Sequence, residues 1–412
     1  MGVTTISDQA LQELITGKSK VDFEFLAARI LLTTLRARAR TDSSPAAIAH
    51  GVAELKDLLA RFEKLPAVQG DLQKITVTGH SSTGDQALFG VDEVKAKIAQ
   101  GRSLVLAGDR ALLRQLPAGK WIGGTIPYFM ATQGGVFTKD KIFVTEMPDA
   151  ATSVSIRAYS DAALSSVYKD APENGLSIVI IPGSSPAHFS FALNAPRYER
   201  FAMRPLIGWI AGTDVADIGK VAPEVFTGDR GMGQKDGAAV MHIGLPSDRQ
   251  ASINIVNIFR QGSGDSISFP QDGFRATDAL VNGARRNFAE YLAEKKVDTK
   301  LPLVADYNGA MINTSFQEVG ASSVSFYAPV FHGVEYKVAR PVADYVSAFE
   351  TQLPRAVSGT IAFSCNCILN YLYSNLEGKK TGNVTGPITF GEIAYQLLNQ
   401  TLAYVTIQKT KS

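Results

Sequence analysis

Two different rhythms of apolar residues divide the chain. After Ser44-Pro45, a hydroxyl cap followed by proline at the first helical position, Ile48, Val52, Leu55, Leu59 and Phe62 recur at alternating spacings of four and three. That period predicts one apolar stripe along a helix. The segment before it carries Phe23, Leu26, Ile30 and Leu35 and ends in alternating Arg36, Arg38 and Arg40. Residues 1–66 are therefore expected to form a helical N-terminal segment. Two such helices bury their stripes by packing on each other, on the body of the protein, or on a partner.

From about residue 67 the rhythm changes to short strands and glycine turns. Leu104–Ala107, Ile178–Ile181 and Val240–Leu245 are short apolar runs that predict buried strands. Ile253–Phe259 mixes amides into a strand-like run, which suits an edge position. Asp278–Leu292, with Leu280, Phe288, Tyr291 and Leu292, is expected to be a helix. Ser323–Tyr327 alternates as a half-buried strand, and Leu402–Ile407 closes the series. Strands and helices mix without strict βαβ alternation, so the expected class is α+β or mixed α/β. A junction near residues 246–251 divides the body into two sheet-containing halves, 67–247 and 248–412.

Composition narrows the function classes. The chain has 412 residues, 45% hydrophobic and 19% charged, which is the balance of a globular protein with room for several cores. A net charge of +2 gives no electrostatic footprint for nucleic acid. No apolar run reaches the roughly 20 residues that span a bilayer. The start, Met1-Gly-Val-Thr-Thr-Ile-Ser-Asp, lacks the basic and apolar regions of a signal peptide, so a cytoplasmic location is expected.

Candidate chemistry is sparse. Cys365 and Cys367 are the only cysteines and stand two apart, so on a strand both thiols share a face. A buried strand end is favoured over a metal site, which wants four ligands, or a nucleophile. Glu392 follows Gly391 just before the helical-looking Ile393–Leu398. It either accepts N–H groups at that helix start or orients a ligand. The histidines form no HxxxH or HExxH pair, and Ser184–His188 lacks the glycines of a nucleophile elbow. Gly228–Gly237 is read as a hairpin rather than a phosphate loop, because no helix follows it. Trp121, Tyr128, Phe129 and Trp209 stand beside glycines in segments read as loops, where aromatic walls and exposed backbone suit an organic ligand and equally suit an ordinary core.

The run Gly359-Thr-Ile-Ala-Phe-Ser-Cys-Asn-Cys, continued by Thr389-Phe-Gly-Glu-Ile-Ala-Tyr and Asn399-Gln-Thr-Leu-Ala-Tyr, resembles the C-terminal half of FIST (F-box and intracellular signal transduction) domains. Lys120-Trp-Ile-Gly-Gly-Thr-Ile, Pro205-Leu-Ile-Gly-Trp-Ile-Ala-Gly and Val330-Phe-His-Gly-Val-Glu-Tyr are similar to further family segments in the same order. The resemblance covers roughly residues 90–408 and departs where Asn366-Cys367-Ile368 replaces the family's usual Gly-Arg pair. It implies two FIST-like halves, 67–247 and 248–412, forming a non-enzymatic bacterial sensory module for signal transduction. A small-molecule ligand would lie between the halves, at a site built from Trp121, Gly123, Gly124, Thr125, Cys365, Gly391 and Glu392. A protein signalling partner, or self-association, would use the N-terminal helices. No cofactor or metal is assigned. The alternatives are a haem-type sensor with His188 or His332 as axial ligand, an enzyme using Cys365, and a structural or assembly protein.

Overall fold

The computed structural model describes residues 87–149, 151–229, 233–307, 310–352, 360–382 and 384–410. The expected helical segment 1–66, with its interface role, lies outside the described residues. Within them the fold is mixed α/β and mostly strand, arranged in five sheets. No helix among the described residues is long and apolar enough to cross a membrane.

The described chain forms two compact units, one of residues 259–340 and one of residues 87–258 with 341–410. The junction expected between 247 and 248 falls inside the larger unit, in the turn joining two strands. The division is set by pairing rather than by chain order, because the second and third sheets each combine strands from before residue 247 with strands from after residue 248.

The first sheet of the larger unit has the order β1 (Leu88–Phe89), β6 (Ile142–Glu146), β2 (Leu104–Gly108), β3 (Trp121–Thr125), β10 (Val225–Thr227). The second has β25 (Gln396–Leu398), β24 (Glu392–Ala394), β9 (Leu206–Ala211), β8 (Gly175–Pro182), β11 (Ala238–Gly244), β7 (Ser153–Tyr159). The third has β12 (Arg249–Val256), β26 (Leu402–Lys409), β22 (Thr360–Cys367), β23 (Gly386–Thr389), β4 (Tyr128–Ala131), β5 (Gly134–Phe137). β12 stands at the edge, as its amides suggested. Strands β3 of the first sheet and β22 and β26 of the third all pack on strands of the second. This buries β2, β3, β8, β9 and β11 along their whole lengths. The apolar runs at 104, 178 and 240 are thus central strands, as predicted.

Helices flank these sheets. α1 (Val91–Ala99) starts where Glu93 Oε2 accepts from Gly90 N at 2.7 Å, and it buries Val94 and Ile98 against Leu104, Trp121 and Phe226. α2 (Arg110–Leu113) begins where Asp109 accepts from Ala111 N at 2.7 Å. α3 (Pro186–Asn194) opens with Ser185 as cap and proline at the first position. It packs on β8 and β25.

The smaller unit contains a six-stranded sheet ordered β16 (Ala284–Asn287), β15 (Asp278–Val281), β13 (Ile267–Ser268), β21 (Tyr336–Val338), β17 (Leu303–Tyr307), β18 (Ala310–Thr314). A three-stranded sheet follows, β14 (Gly273–Ala276), β20 (Val324–Val330), β19 (Phe316–Val319). Its core holds Phe269, Phe288, Phe326 and Tyr336, with rings of Phe269 and Phe288 meeting edge-on at 5.3 Å. The helix expected over Asp278–Leu292 is corrected here: it is a hairpin, β15–β16, followed by the short α4 (Phe288–Glu294). Asn282 and Gly283 at its tip have φ of 49° and 83°, the paired left-handed residues of a tight hairpin turn. That Asn-Gly signal outweighs the helical spacing of the neighbouring leucine and aromatics.

Candidate functional site

β3 sorts the sequence-predicted residues by strand alternation. The 121–125 segment is not a loop but a fully buried strand, paired parallel to β2 and antiparallel to β10. Trp121, Gly123 and Thr125 lie on one face. Trp121 joins the α1 core and donates to Pro117 O at 2.9 Å, and Thr125 Oγ1 accepts from Glu224 N at 3.0 Å. Gly124 faces the other way, where a side-chain carbon would meet Ile180, Trp209 Nε1 and Ala211. Trp121, Gly123 and Thr125 are therefore separated from the remaining predicted residues by the thickness of a strand. The other aromatics read as loop residues also sit in strands: Tyr128 and Phe129 in β4, Trp209 in β9.

The rest converge on β9. Gly391 O accepts from Ile210 N at 2.8 Å, and Glu392 pairs directly with Trp209 across β24 and β9. Cys365, on β22, donates its thiol to Gly208 O at 3.2 Å. Trp209 stacks on Phe363 with ring centroids 5.4 Å apart and planes 14° off parallel. The glycine-rich 205–212 segment, similar to a turn in sequence, is thus the central strand on which the site is built. Residues 393–398 are not helical but form the hairpin β24–β25, with Tyr395 at its tip held at φ 61° and its carbonyl accepting from the Tyr168 hydroxyl.

Glu392 is fully buried. Its Oε2 accepts from the Thr401 hydroxyl at 2.8 Å and from Thr401 N at 3.2 Å, and Thr389 Oγ1 lies 3.4 Å from Oε1. The expected role of accepting a backbone N–H holds in kind, but the donor lies across a hairpin and not at a helix start. Among the described residues no Lys, Arg or His forms an ion pair with it. Burial pushes its pKa up to about 8, against the lowering effect of the Thr401, Cys367 and Thr389 hydrogen bonds. Burial, reinforced by Glu392, also holds both the Cys365 and Cys367 thiols well above their usual value. The result is a nest of neutral, protonated groups.

Two buried amides border it. Asn366 Oδ1 accepts from Cys367 N at 2.8 Å and from Asn370 Nδ2 at 2.9 Å. Asn370 stands on α5 (Ile368–Tyr373), where its Nδ2 also donates to Thr401 O at 3.2 Å. Asn370 Oδ1 and Trp209 Nε1 are buried with no hydrogen-bond partner among the described residues. Leaving such groups unpaired costs about 1–3 kcal/mol each, so their place beside one uncompensated carboxyl makes this the candidate site.

Glu224 provides the contrast. It is equally buried, yet Arg114 Nη2 reaches both its oxygens at 2.9 and 3.0 Å and Arg110 Nη1 lies at 3.4 Å. That carboxylate is compensated and closes the end of β3 structurally. Of the haem-ligand candidates, His188 is buried on α3, its Nδ1 accepting from Ser184 N at 3.2 Å, while His332 N donates to Asp272 at 2.8 Å in the smaller unit. No group of three or more His, Cys, Asp or Glu placed to hold a metal ion occurs among the described residues.

One cluster had no legible signal in the sequence. Ser177 on β8 and His242 on β11 are direct cross-strand partners, with Ser177 Oγ 2.7 Å from His242 Nδ1. His242 Nε2 lies 2.9 Å from the Tyr159 hydroxyl, which donates to Asp170 at 2.9 Å, and Arg157 pairs with Asp170. Because the phenol spends its proton on Asp170, His242 donates from Nε2 and accepts the Ser177 proton at Nδ1. Burial lowers the His242 pKa to about 4 and keeps the imidazole neutral. Ser177 is wholly buried, so this serine–histidine pair is a structural relay and not an exposed nucleophile. Tyr159→Phe, which leaves His242 Nε2 unpaired, is expected to cost about 1–3 kcal/mol in urea unfolding. No change in stability would remove the relay from the account of the fold.

Residues 89–408 match a family described as a family of unknown function (DUF6976), so the chain belongs to that family. No curated protein and no solved structure matches the chain.

Proposed function

We propose that this DUF6976 member is a non-enzymatic small-molecule-binding module, of the sensory kind, whose ligand is oriented by Glu392. The observation that carries the reading is a fully buried carboxyl with no cationic partner among the described residues and a pKa near 8. A group so placed gains from any ligand that supplies a hydrogen-bond donor or a positive charge. The nest draws on segments from both sides of residue 247, Gly124 and Trp209 from one side and Cys365 and Glu392 from the other. A ligand held between two FIST-like halves would have this dual ownership, and the FIST resemblance of the 359–405 region supports the same reading. Thiols held above their usual pKa carry little thiolate near neutral pH, which weighs against Cys365 as a nucleophile.

The test is retention of a co-purified small molecule by native mass spectrometry. Glu392→Gln keeps the shape and removes the ionisable carboxyl, and it is expected to lower retention tenfold or more, about 1.4 kcal/mol, with an unchanged circular dichroism spectrum. Equal retention by the wild-type and Gln chains would overturn the assignment of Glu392.

A further inference from the structure

The larger unit has an opening that the Glu392 nest does not use. A groove of about 460 Å³ lies between the β4–β5 hairpin and the edge of the first sheet. In the hairpin Phe129 pairs with Val136 and Ala131 with Gly134, so Phe129, Ala131 and Val136 share one face. On that face Phe129 stacks on Phe143 of β6 with centroids 5.9 Å apart, and Phe143 pairs with Leu88 of β1. The stack pins the hairpin to the sheet edge, and Leu88, Ala131 and Val136 give the groove its apolar wall. Backbone bonds hold both sides: Val144 N donates to Ala87 O at 2.8 Å, and Thr138 N to Pro127 O at 2.9 Å. The walls are therefore set before any ligand arrives, as in most small-molecule sites.

The polar side of the groove has only donors left to offer. Thr138 Oγ1 accepts from Asp140 N at 3.1 Å, which leaves its O–H to give. Gln133 Oε1 accepts from Thr132 Oγ1 at 3.4 Å, which leaves its NH2. Lys141 forms no hydrogen bond or ion pair among the described residues, and no carboxylate lines the groove. Glu93, at the start of α1, is turned to Gly90 N and does not pair with Lys141. A hydroxyl, an amide and an ammonium beside an apolar wall call for a negatively charged acceptor on an apolar body. One ammonium balances one negative charge, so a carboxylate fits better than a phosphate dianion. The volume falls toward the low end of the roughly 300–1,000 Å³ of small-molecule sites, room for one short chain or ring.

We propose that this groove is a second ligand site, and that it takes a small amphipathic monocarboxylate. The hydrocarbon body lies on Leu88, Ala131 and Val136, and the carboxylate meets Lys141, Gln133 and Thr138. The site shares no residue with the Glu392 nest and does not rest on the function proposed for it.

The probe is octanoate, added to the full chain and followed by calorimetry. Wild-type protein is expected to bind it saturably, one molecule per chain, with Kd on the order of 1 mM or tighter. Octylamine, with the same body and the opposite charge, is expected to bind at least about tenfold more weakly. Acetate, which has no body to bury, is expected to show no binding at the same concentrations. Lys141 is exposed, so its replacement leaves the fold intact. Lys141→Gln is expected to weaken octanoate binding about tenfold or more, while Lys141→Arg, which keeps the charge, stays within about threefold of wild type.

Absence of saturable octanoate binding would overturn the proposal. So would equal affinity for octanoate and octylamine, or a loss in Lys141→Arg as large as that in Lys141→Gln. Octanoate binding that survives Lys141→Gln but disappears in Glu392→Gln would move the ligand to the nest and sink the groove as its site. Octanoate binding weakened by Lys141→Gln and untouched by Glu392→Gln is the expected pattern, and it holds whatever the nest retains.

Discussion

Gly208→Ala is expected to destabilise the larger unit by about 4 kcal/mol or more, the range reserved for changes that a packed interior cannot absorb. A side-chain carbon at this position would overlap the carbonyl oxygen of Val179 and lie 2.7 and 2.9 Å from its carbonyl carbon and nitrogen. These are backbone atoms of β8, the parallel neighbour that pairs Val179 with Gly208. No rotamer change relieves such a contact; the two strands must separate. The separation would also pull Gly208 O from the Cys365 thiol and shift Trp209 relative to Phe363. Urea unfolding followed by circular dichroism measures the effect. A loss below about 1 kcal/mol, the cost of an ordinary substitution, would mean that β8 and β9 are not held this closely.

The second large effect is a pH dependence of stability that runs opposite to the usual carboxylate pattern. In the unfolded chain Glu392 loses its proton near 4.5, and in the folded chain it holds it until about 8. Between those values the native state binds more protons than the unfolded state, so stability falls as pH rises. The slope approaches 1.4 kcal/mol per pH unit for one group, an order-of-magnitude figure for a buried carboxyl, and it levels off above the folded pKa. The stabilising contribution is complete below about 4.5 and gone above about 8. Glu392→Gln has no proton to lose and is expected to flatten this component. At pH 8 it should be more stable than the wild type by a few kcal/mol, whereas near pH 5 the two chains should differ little. Denaturant midpoints at pH 5, 6.5 and 8 decide the matter, and parallel pH profiles for the two proteins would count against a buried, protonated Glu392.

The central strands were legible because burial on both faces writes a largely apolar run, as in Leu104–Ala107 and Ile178–Ile181. The edge strand β12 showed itself through its asparagines. Misreadings cluster where glycine stands inside a strand. Gly123, Gly124 and Gly208 looked like turns, but they are strand residues whose missing side chains admit a neighbouring sheet or strand. Close backbone approach and turning call for the same residue, and one sequence cannot distinguish them.

The site was partly legible for a related reason. A cysteine at a strand end and a glutamate after glycine are unusual enough to notice, and Cys365 and Glu392 do meet at β9. Trp121, Gly123 and Thr125 were placed with them because the segment was read as a loop. As a strand it sends alternate residues to opposite faces, and only Gly124 reaches Trp209. Asn366, Asn370, Thr389 and Thr401 were unremarkable in sequence, since their significance comes from burial around Glu392.

β26 gives the larger unit a particular order of assembly. It lies between β12 and β22 and pairs antiparallel with both, from Arg249 opposite Lys409 to Asn366 opposite Leu402. It also carries the chain on from Thr401, the residue that supplies two donors to Glu392. During synthesis on the ribosome, β12 and β22 therefore emerge with open edges and wait for a strand translated after both. The carboxyl likewise has no donors from Thr401 until that same stretch has left the exit tunnel. Sheet closure and completion of the nest are therefore one event, because a single stretch of chain supplies both.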